Sequence, residues 1–138
     1  MAKILKGAPV VEALNESIAA EAKRLREGGI VPTLAILRVG DNPDDISYER
    51  SAVKRCEKVG VEARTVAVGS DCTHESLVQC VHEQNVDPGV HGVLLLRPLP
   101  AHIDDNTARN TLVAAKDLDG ITDASLAGVF SGDGVGHV

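Results

Sequence analysis

The feature that most constrains this fold is a series of short apolar runs that alternate with longer amphipathic segments. The strongest run spans residues 93–97, where only the last residue is charged, and Thr33–Val39 has a similar character. Such runs are typical of strands that are buried on both faces of a sheet. Residues 61–68 alternate apolar and polar side chains and predict another strand. Helical segments between the runs favour crossovers that make the strands parallel.

Four segments show the apolar spacing of amphipathic helices, and glycine, proline or a polar capping residue marks their ends. They are residues 10–26, 44–59, 73–85 and 104–114. Asp44 or Asp45 is expected to cap the second helix, because both follow the turn that contains Pro43. The first helix carries its stripe through Val10, Leu14, Ile18 and Ala22.

These patterns together predict an α/β fold, a single three-layer α-β-α domain over residues 1–138 with a mainly parallel sheet. No linker or repeat interrupts the chain before Ser131, and the residues after Gly120 are expected to form a polar, glycine-containing tail. The string Gly132-Asp-Gly-Val-Gly136 does not predict a phosphate loop, because it does not lie between a strand and a helix.

The composition disfavours several classes of function. A net charge of -6 and the absence of a basic stripe argue against nucleic-acid or anionic-membrane partners, which need clustered Lys and Arg. No apolar run approaches the ~20 residues of a membrane span, and no signal stretch follows Met1, so a cytoplasmic protein is expected. Cys56, Cys72 and Cys80 lack CxxC spacing and are expected to be reduced thiols. No metal site is predicted.

Ligands of open α/β sheets collect at the carboxyl ends of the strands. Tyr48, the single tyrosine, lies near the start of a predicted helix and either offers its ring to a planar ligand or packs on the sheet. Pro98 and Pro100 follow a buried strand directly and form a rigid wall. Asp117 and Asp119 project to the same side if their segment is extended, where a carboxylate either binds a donor-rich heterocycle or is solvated in a turn.

These segments resemble the methylenetetrahydrofolate dehydrogenase/cyclohydrolase family over about residues 4–130. The resemblance rests on ordered motifs, namely Val39-Gly-Asp-Asn-Pro43, Ser47-Tyr48, Lys54-Arg-Cys-Glu-Lys-Val-Gly60, His91-Gly-Val-Leu-Leu, Pro98-Leu-Pro100, Lys116-Asp-Leu-Asp-Gly-Ile-Thr122 and Leu126-Ala-Gly128. It implies a folate pocket in which Tyr48 stacks on the substrate and Asp119 binds the pterin, both as catalytic residues. The substrate-binding residues that it implies are Tyr48, Ser51, Ala52, Arg55, Leu95, Leu96, Arg97, Pro98, Pro100 and Asp119.

Two positions depart from the family pattern. The family has a lysine where this chain has Ala52 and a glutamine where it has Leu96, and both are associated with hydrolysis of the methenyl form of the folate. Alanine cannot transfer a proton, and arginine is a poor acid or base at neutral pH, although Arg55 or Arg97 could neutralise folate carboxylates. The resemblance therefore implies oxidation of methylene- to methenyl-tetrahydrofolate by hydride transfer to NAD or NADP, with weak or lost cyclohydrolase activity.

The family's nucleotide-binding Rossmann domain has no counterpart in residues 1–138, so the isolated chain is expected to be inactive, and a homodimer is expected for the complete protein. Whether NAD or NADP is used stays open, because the residues that discriminate them belong to that domain. Three alternatives also stay open. They are a bifunctional enzyme in which Arg55 or Arg97 compensates, a stand-alone folate-binding module, and an unrelated doubly wound binding domain.

Overall fold

The computed structural model describes residue 4 and residues 6–132, and this part of the chain forms an alternating α/β fold. It contains five α-helices, three β-strands and a short 3-10 helix at Ala114–Lys116. In chain order the elements are α1 (Gly7–Glu27), β1 (Thr33–Val39), α2 (Pro43–Val59), β2 (Glu62–Val68), α3 (His74–Val86), β3 (Gly92–Leu95), α4 (Asp105–Thr111) and α5 (Asp123–Ser131).

The three strands form one parallel sheet in the order β2-β1-β3. Leu37 in the central strand aligns with Val66 on β2 and with Leu95 on β3. A further parallel bridge joins Val93 to Asp117, so the segment after the 3-10 helix continues the sheet for one residue beyond β3. The predicted α/β class and parallel sheet are confirmed.

The alternating side chains of β1 divide the core between the two faces of the sheet. On one face, Ala35 and Leu37 belong to an apolar cluster with Val81 of α3, and a second cluster there joins Leu77 of α3 to Ala108 of α4. On the other face, Ile36, Leu94 and Leu96 form a smaller cluster against which Ala52 and Val53 of α2 pack. Helices on both faces give the predicted three layers.

The observed helix ends show which residues act as caps. The side chain of Asn42, and not Asp44 or Asp45, caps α2 by accepting the amide of Asp44 at 3.0 Å, so the predicted cap was wrong by two or three positions. Pro43 then occupies the first helical position, where its missing N–H costs nothing. Gly60 ends α2 with a φ of 77°, a left-handed conformation that glycine adopts readily.

The polar tail predicted after Gly120 is instead ordered as α5. The side chain of Thr122 caps this helix by accepting the amide of Ser125 at 3.1 Å, and Gly128 is buried within it. Glycines in the sequence suggested a loop, but a capped start and close packing outweigh their low helix propensity. Gly132 ends α5, and the rest of the glycine string, from residue 133 onward, lies outside the described residues.

The apolar stripe of α1 is present but mostly exposed. Ala22 is the one buried residue of this helix, whereas Val10, Leu14 and Ile18 are each more than 40% exposed. Contacts between α1 and α2 include a hydrogen bond from Arg26 Nε to the carbonyl of Gly60 at 3.0 Å. Within the described residues, no helix is both long and apolar enough to span a membrane.

Candidate functional site

A cavity of about 440 Å³ lies at the carboxyl ends of β1 and β3, where the topology of parallel sheets concentrates ligands. Its volume is within the range of small-molecule sites. The lining residues are Asp44, Asp45, Tyr48, Leu95, Leu96, Arg97, Asp119 and Ile121. A larger space of about 590 Å³ between the C-terminal ends of α1 and α2 lies away from the strand ends and is lined largely by exposed charged side chains.

The first wall of the cavity is the N-terminal half of α2. Tyr48 follows Asp44 by four positions and Asp45 by three, and both spacings place side chains on one helical face. Tyr48 is 55% exposed, so its ring is not packed on the sheet. The phenol therefore presents a flat surface and a hydroxyl to whatever occupies the cavity.

The floor of the cavity is apolar and comes from the end of β3. Leu95 and Leu96 are buried there, and Leu96 belongs to the cluster against which Ala52 packs from α2. The two positions that depart from the family pattern thus lie in one apolar assembly, where neither carries a group that hydrogen-bonds or transfers a proton. Ala52 itself is half-buried and does not line the cavity.

The opposite wall contains Arg97, whose charge is already paired. Its Nε donates to Oδ1 of Asp105 at 2.6 Å, and this hydrogen bond raises the pKa of the guanidinium. Arg109 forms an ion pair with Asp123 at 2.7 Å and donates a hydrogen bond to the carbonyl of Ile121 at 2.6 Å. These contacts join α4 to the segment after β3, which carries Arg97, and to the segment before α5, which carries Ile121.

A turn from Asp117 to Thr122 holds Asp119 at the cavity. Asp117 is fully buried and accepts hydrogen bonds from the amides of Ile121 at 3.1 Å and Thr122 at 2.9 Å and from the Ser125 hydroxyl at 2.8 Å. Burial alone would raise the pKa of Asp117, but these hydrogen bonds outweigh it and hold that pKa below its usual range.

Asp119, by contrast, is exposed and lines the cavity. The two carboxylates therefore do not project to the same side, because the segment is a closed turn with a left-handed Gly120 at φ 65° and not an extended strand.

The remaining residues of the predicted site lie outside the cavity lining. Ser51 donates its hydroxyl to the carbonyl of Ser47 at 2.9 Å, and Arg55 Nη1 donates to Oδ1 of Asn15 on α1 at 3.2 Å. Pro98 and Pro100 follow the lining segment without lining the cavity, and the Arg97–Pro98 peptide bond is cis. The structure thus brings together five of the predicted residues, namely Tyr48, Leu95, Leu96, Arg97 and Asp119.

Sequence reasoning missed Asp44, Asp45 and Ile121 as lining residues. The aspartates were assigned to capping, and acidic residues in a first helical turn are common because they complement the helix dipole, so the sequence carried no specific signal for them. With Asp119 they place three carboxylates at the cavity against one guanidinium that Asp105 already neutralises. This balance favours a ligand rich in hydrogen-bond donors over an anionic group.

Comparisons with known proteins identify the domain. The family model for the catalytic domain of tetrahydrofolate dehydrogenase/cyclohydrolase matches residues 5–119. The bifunctional protein FolD of Alkaliphilus oremlandii is 37% identical over 136 residues, which make up 99% of this chain and 48% of that protein.

Solved structures agree. The bifunctional enzyme FolD of Campylobacter jejuni, a methylenetetrahydrofolate dehydrogenase/cyclohydrolase, superposes with a TM-score of 0.89 at 28% identity over 91% of this chain and 45% of that chain. The Trypanosoma brucei dehydrogenase-cyclohydrolase, complexed with NADP cofactor and inhibitor, superposes with a TM-score of 0.85 at 25% identity over 93% of this chain and 44% of that chain.

This chain spans about half the length of the curated relatives that it matches. The family match nevertheless covers most of the chain and confirms the resemblance that the motifs carry. The chain therefore belongs to the tetrahydrofolate dehydrogenase/cyclohydrolase family, whose catalytic-domain fold it shares.

Proposed function

We propose that this domain binds a reduced folate in the 440 Å³ cavity and forms the substrate side of a methylenetetrahydrofolate dehydrogenase. The observation that carries the proposal is the shared position of Tyr48 and Asp119 at this cavity in a domain of the folate family. The exposed ring of Tyr48 stacks on the planar folate, and the Asp119 carboxylate accepts hydrogen bonds from the pterin N–H groups.

The turn between β1 and α2 does not fit the pyrophosphate of a dinucleotide. The turn between β1 and α2 leads into a helix whose first turn carries Asp44 and Asp45, and these charges repel the pyrophosphate that a Rossmann turn binds. NAD or NADP, which accepts the hydride when bound, would thus be held by another part of the complete protein. The residues described here bind and orient the folate, and the apolar floor at Leu95 and Leu96 excludes water beneath it.

We further propose that hydrolysis of the methenyl form is weak. Ala52 and Leu96 occupy the positions of the family's lysine and glutamine, and they meet in an apolar cluster. Compensation by arginine is disfavoured, because Arg97 is engaged by Asp105 and Arg55 contacts α1. Loss of a positioned acid-base group typically lowers a rate by ~10² to 10⁴.

A second candidate is an enzyme that retains both the dehydrogenase and the cyclohydrolase activity. The relatives that are named bifunctional favour it. A homodimer and a cytoplasmic location stay predictions for the complete protein. Hydride transfer is expected in both candidates, so hydrolysis is the activity that separates them.

Calorimetric titration of this chain with tetrahydrofolate tests the binding site. Tyr48→Ala is expected to weaken binding by roughly 5- to 150-fold, since stacking on an aromatic ring contributes ~1–3 kcal/mol in comparable heterocycle sites. Tyr48→Phe keeps the stacking ring and should bind nearly as well as the unmodified chain. Asp119→Asn should also weaken binding, whereas Asp71→Asn, an exposed carboxylate outside the cavity lining, serves as the matched control. Equal affinities for Tyr48→Ala and the unmodified chain would refute the site.

The hydrolysis proposal is tested by following decay of methenyl-tetrahydrofolate absorbance with the complete protein at neutral pH. Slow decay is expected, with dehydrogenase turnover still measurable when NAD or NADP is supplied. The double variant Ala52→Lys/Leu96→Gln should raise the rate of decay. Fast hydrolysis by the unmodified protein would instead support the bifunctional candidate.

A further inference from the structure

Arg38 is the one charged residue of β1, next to the C-terminal end of the strand, and its side chain is only 10% exposed. It follows Ile36 by two positions and therefore faces α2. We infer that the ion pair between Arg38 and Glu49 positions the first half of α2, and with it Tyr48, at the edge of the cavity. The folate in this inference rests on the proposed function, whereas the positioning of Tyr48 does not.

The first half of α2 has little apolar packing of its own. The buried residues of this helix are Cys56 and Val59, and the apolar side chains that pack against the sheet cluster are Ala52 and Val53. Among the apolar side chains of residues 43–51, Ile46 alone is withdrawn from solvent, and it is only half-buried. Without another contact, the part of α2 that carries the cavity residues would be held only weakly to the sheet.

The Arg38 guanidinium supplies that contact at three points. Its Nε donates to Oε2 of Glu49 at 2.8 Å, and its Nη1 donates to Oδ1 of Asp41 at 3.0 Å and to the carbonyl of Gly40. The Glu49 side chain is 13% exposed, so water screens the pair little. One side chain thus joins the end of β1, the turn that follows it and the second turn of α2.

The helical geometry links this pair to the orientation of Tyr48. Consecutive residues of an α-helix are about 100° apart around its axis. When Glu49 is fixed toward Arg38 and the sheet, Tyr48 is turned to the side, where it lines the cavity. Arg38 does not line the cavity itself and acts through Tyr48 as a positioning residue.

Tyrosine fluorescence provides a direct test, because the chain has a single tyrosine and no tryptophan. Glu49→Gln keeps the shape of the side chain and removes its charge, and Arg38→Lys retains a charge with a weaker geometry. The matched control is Glu21→Gln, which breaks an exposed ion pair with Arg24 on α1. In the free chain, Glu49→Gln should change the acrylamide quenching of Tyr48, whereas Glu21→Gln should leave it unchanged.

Affinity for tetrahydrofolate then separates positioning from general damage. Glu49→Gln should weaken binding about tenfold, which lies within the range of interaction energies between side chains in direct contact. Arg38→Lys should weaken binding less. In a Tyr48→Ala background, Glu49→Gln should have no further effect, because the ring that it positions is absent. Circular dichroism and cooperative urea unfolding verify that each variant is folded.

Two results would overturn the inference. One is unchanged Tyr48 quenching in folded Glu49→Gln, and this arm holds even if the chain does not bind folate. The other is an equal loss of affinity from Glu49→Gln with and without Tyr48, which would show that the pair acts on the domain as a whole. If Glu49→Gln does not fold, the same two measurements on Arg38→Lys decide.

Discussion

The two faces of the sheet are built very differently. The face that α3 and α4 cover holds two apolar clusters, with fully buried side chains that include Leu37, Leu77 and Val93. The face that α2 covers holds a cluster of three buried residues, one buried ion pair and a helix, α1, with an exposed stripe. The first face therefore supplies most of the stability, and the second leaves room for a cavity and for the residues that line it.

The largest expected effect tests the densely packed face. Leu37→Ala removes a fully buried side chain from the central strand and should lower the free energy of unfolding by about 2–5 kcal/mol, because it leaves a cavity that the core fills only partly. Urea denaturation at neutral pH measures the change. Any folded fraction should bind folate like the unmodified chain, and a loss below about 1 kcal/mol would remove the contrast between the faces.

An intermediate effect is expected at the turn that supports Asp119. Asp117→Asn weakens three hydrogen bonds to a buried carboxylate and should lower stability by roughly 1.5–3 kcal/mol at neutral pH. The pKa of this group is below its usual range in the folded chain. Its stabilising contribution is therefore complete above its unfolded-state pKa, about 3.9, and is lost as the pH falls through the folded-state pKa.

The variant should accordingly lose less stability than the unmodified chain between neutral pH and about pH 3. Urea denaturation of both proteins across that interval makes the comparison. The control is Asp123→Asn, because Asp123 is an exposed carboxylate whose pKa is lowered by Arg109. It measures how much an ion pair at the surface contributes to the loss of stability in acid. Identical acid slopes for Asp117→Asn and the unmodified chain would contradict the role given to this carboxylate.

The smallest effect is expected on α1. Leu14 is 55% exposed, and alanine has a helix propensity close to that of leucine, so Leu14→Ala should change stability by less than about 0.5 kcal/mol. Thermal or urea unfolding of this chain measures it. A loss of more than about 1 kcal/mol in the free energy of unfolding would show that the apolar stripe of α1 is covered in solution. The two faces of the sheet would then differ less in their contribution to stability.

Most of the fold follows from local sequence signals. Thr33–Val39 was predicted with its observed bounds, because Pro32 and Gly40 bracket an apolar run that a parallel sheet requires. The α5 helix escaped prediction because its glycines suggested a loop, although its cap, in which the Thr122 side chain accepts the amide of Ser125, is a local feature of the sequence. The stripe of α1 was visible in the sequence, but periodicity states which side is apolar and not what covers it.

The candidate site was predictable only in part for a related reason. Tyr48 and Asp119 lie at positions that the topology and the family pattern both indicate. Arg55 shares a helical face with Tyr48 on an ideal wheel, yet its long side chain reaches Asn15 on α1. The pair of Arg38 and Glu49 joins residues eleven positions apart, and such pairing becomes visible only when strand and helix are placed in space.

The bridge between Val93 and Asp117 predicts different native-state lifetimes for the two cavity walls. The amides of Ile121 and Thr122 donate to a carboxylate whose backbone is part of the sheet, so their exchange with solvent deuterium is expected to require the opening of β3. The first turns of α2 have no backbone bridge to the sheet and are held to it by the side-chain pair of Arg38 and Glu49, so they are expected to open by smaller fluctuations. The wall that carries Asp119 is therefore expected to open to solvent less often than the wall that carries Tyr48. A ligand that binds between them is expected to slow amide exchange mainly in α2.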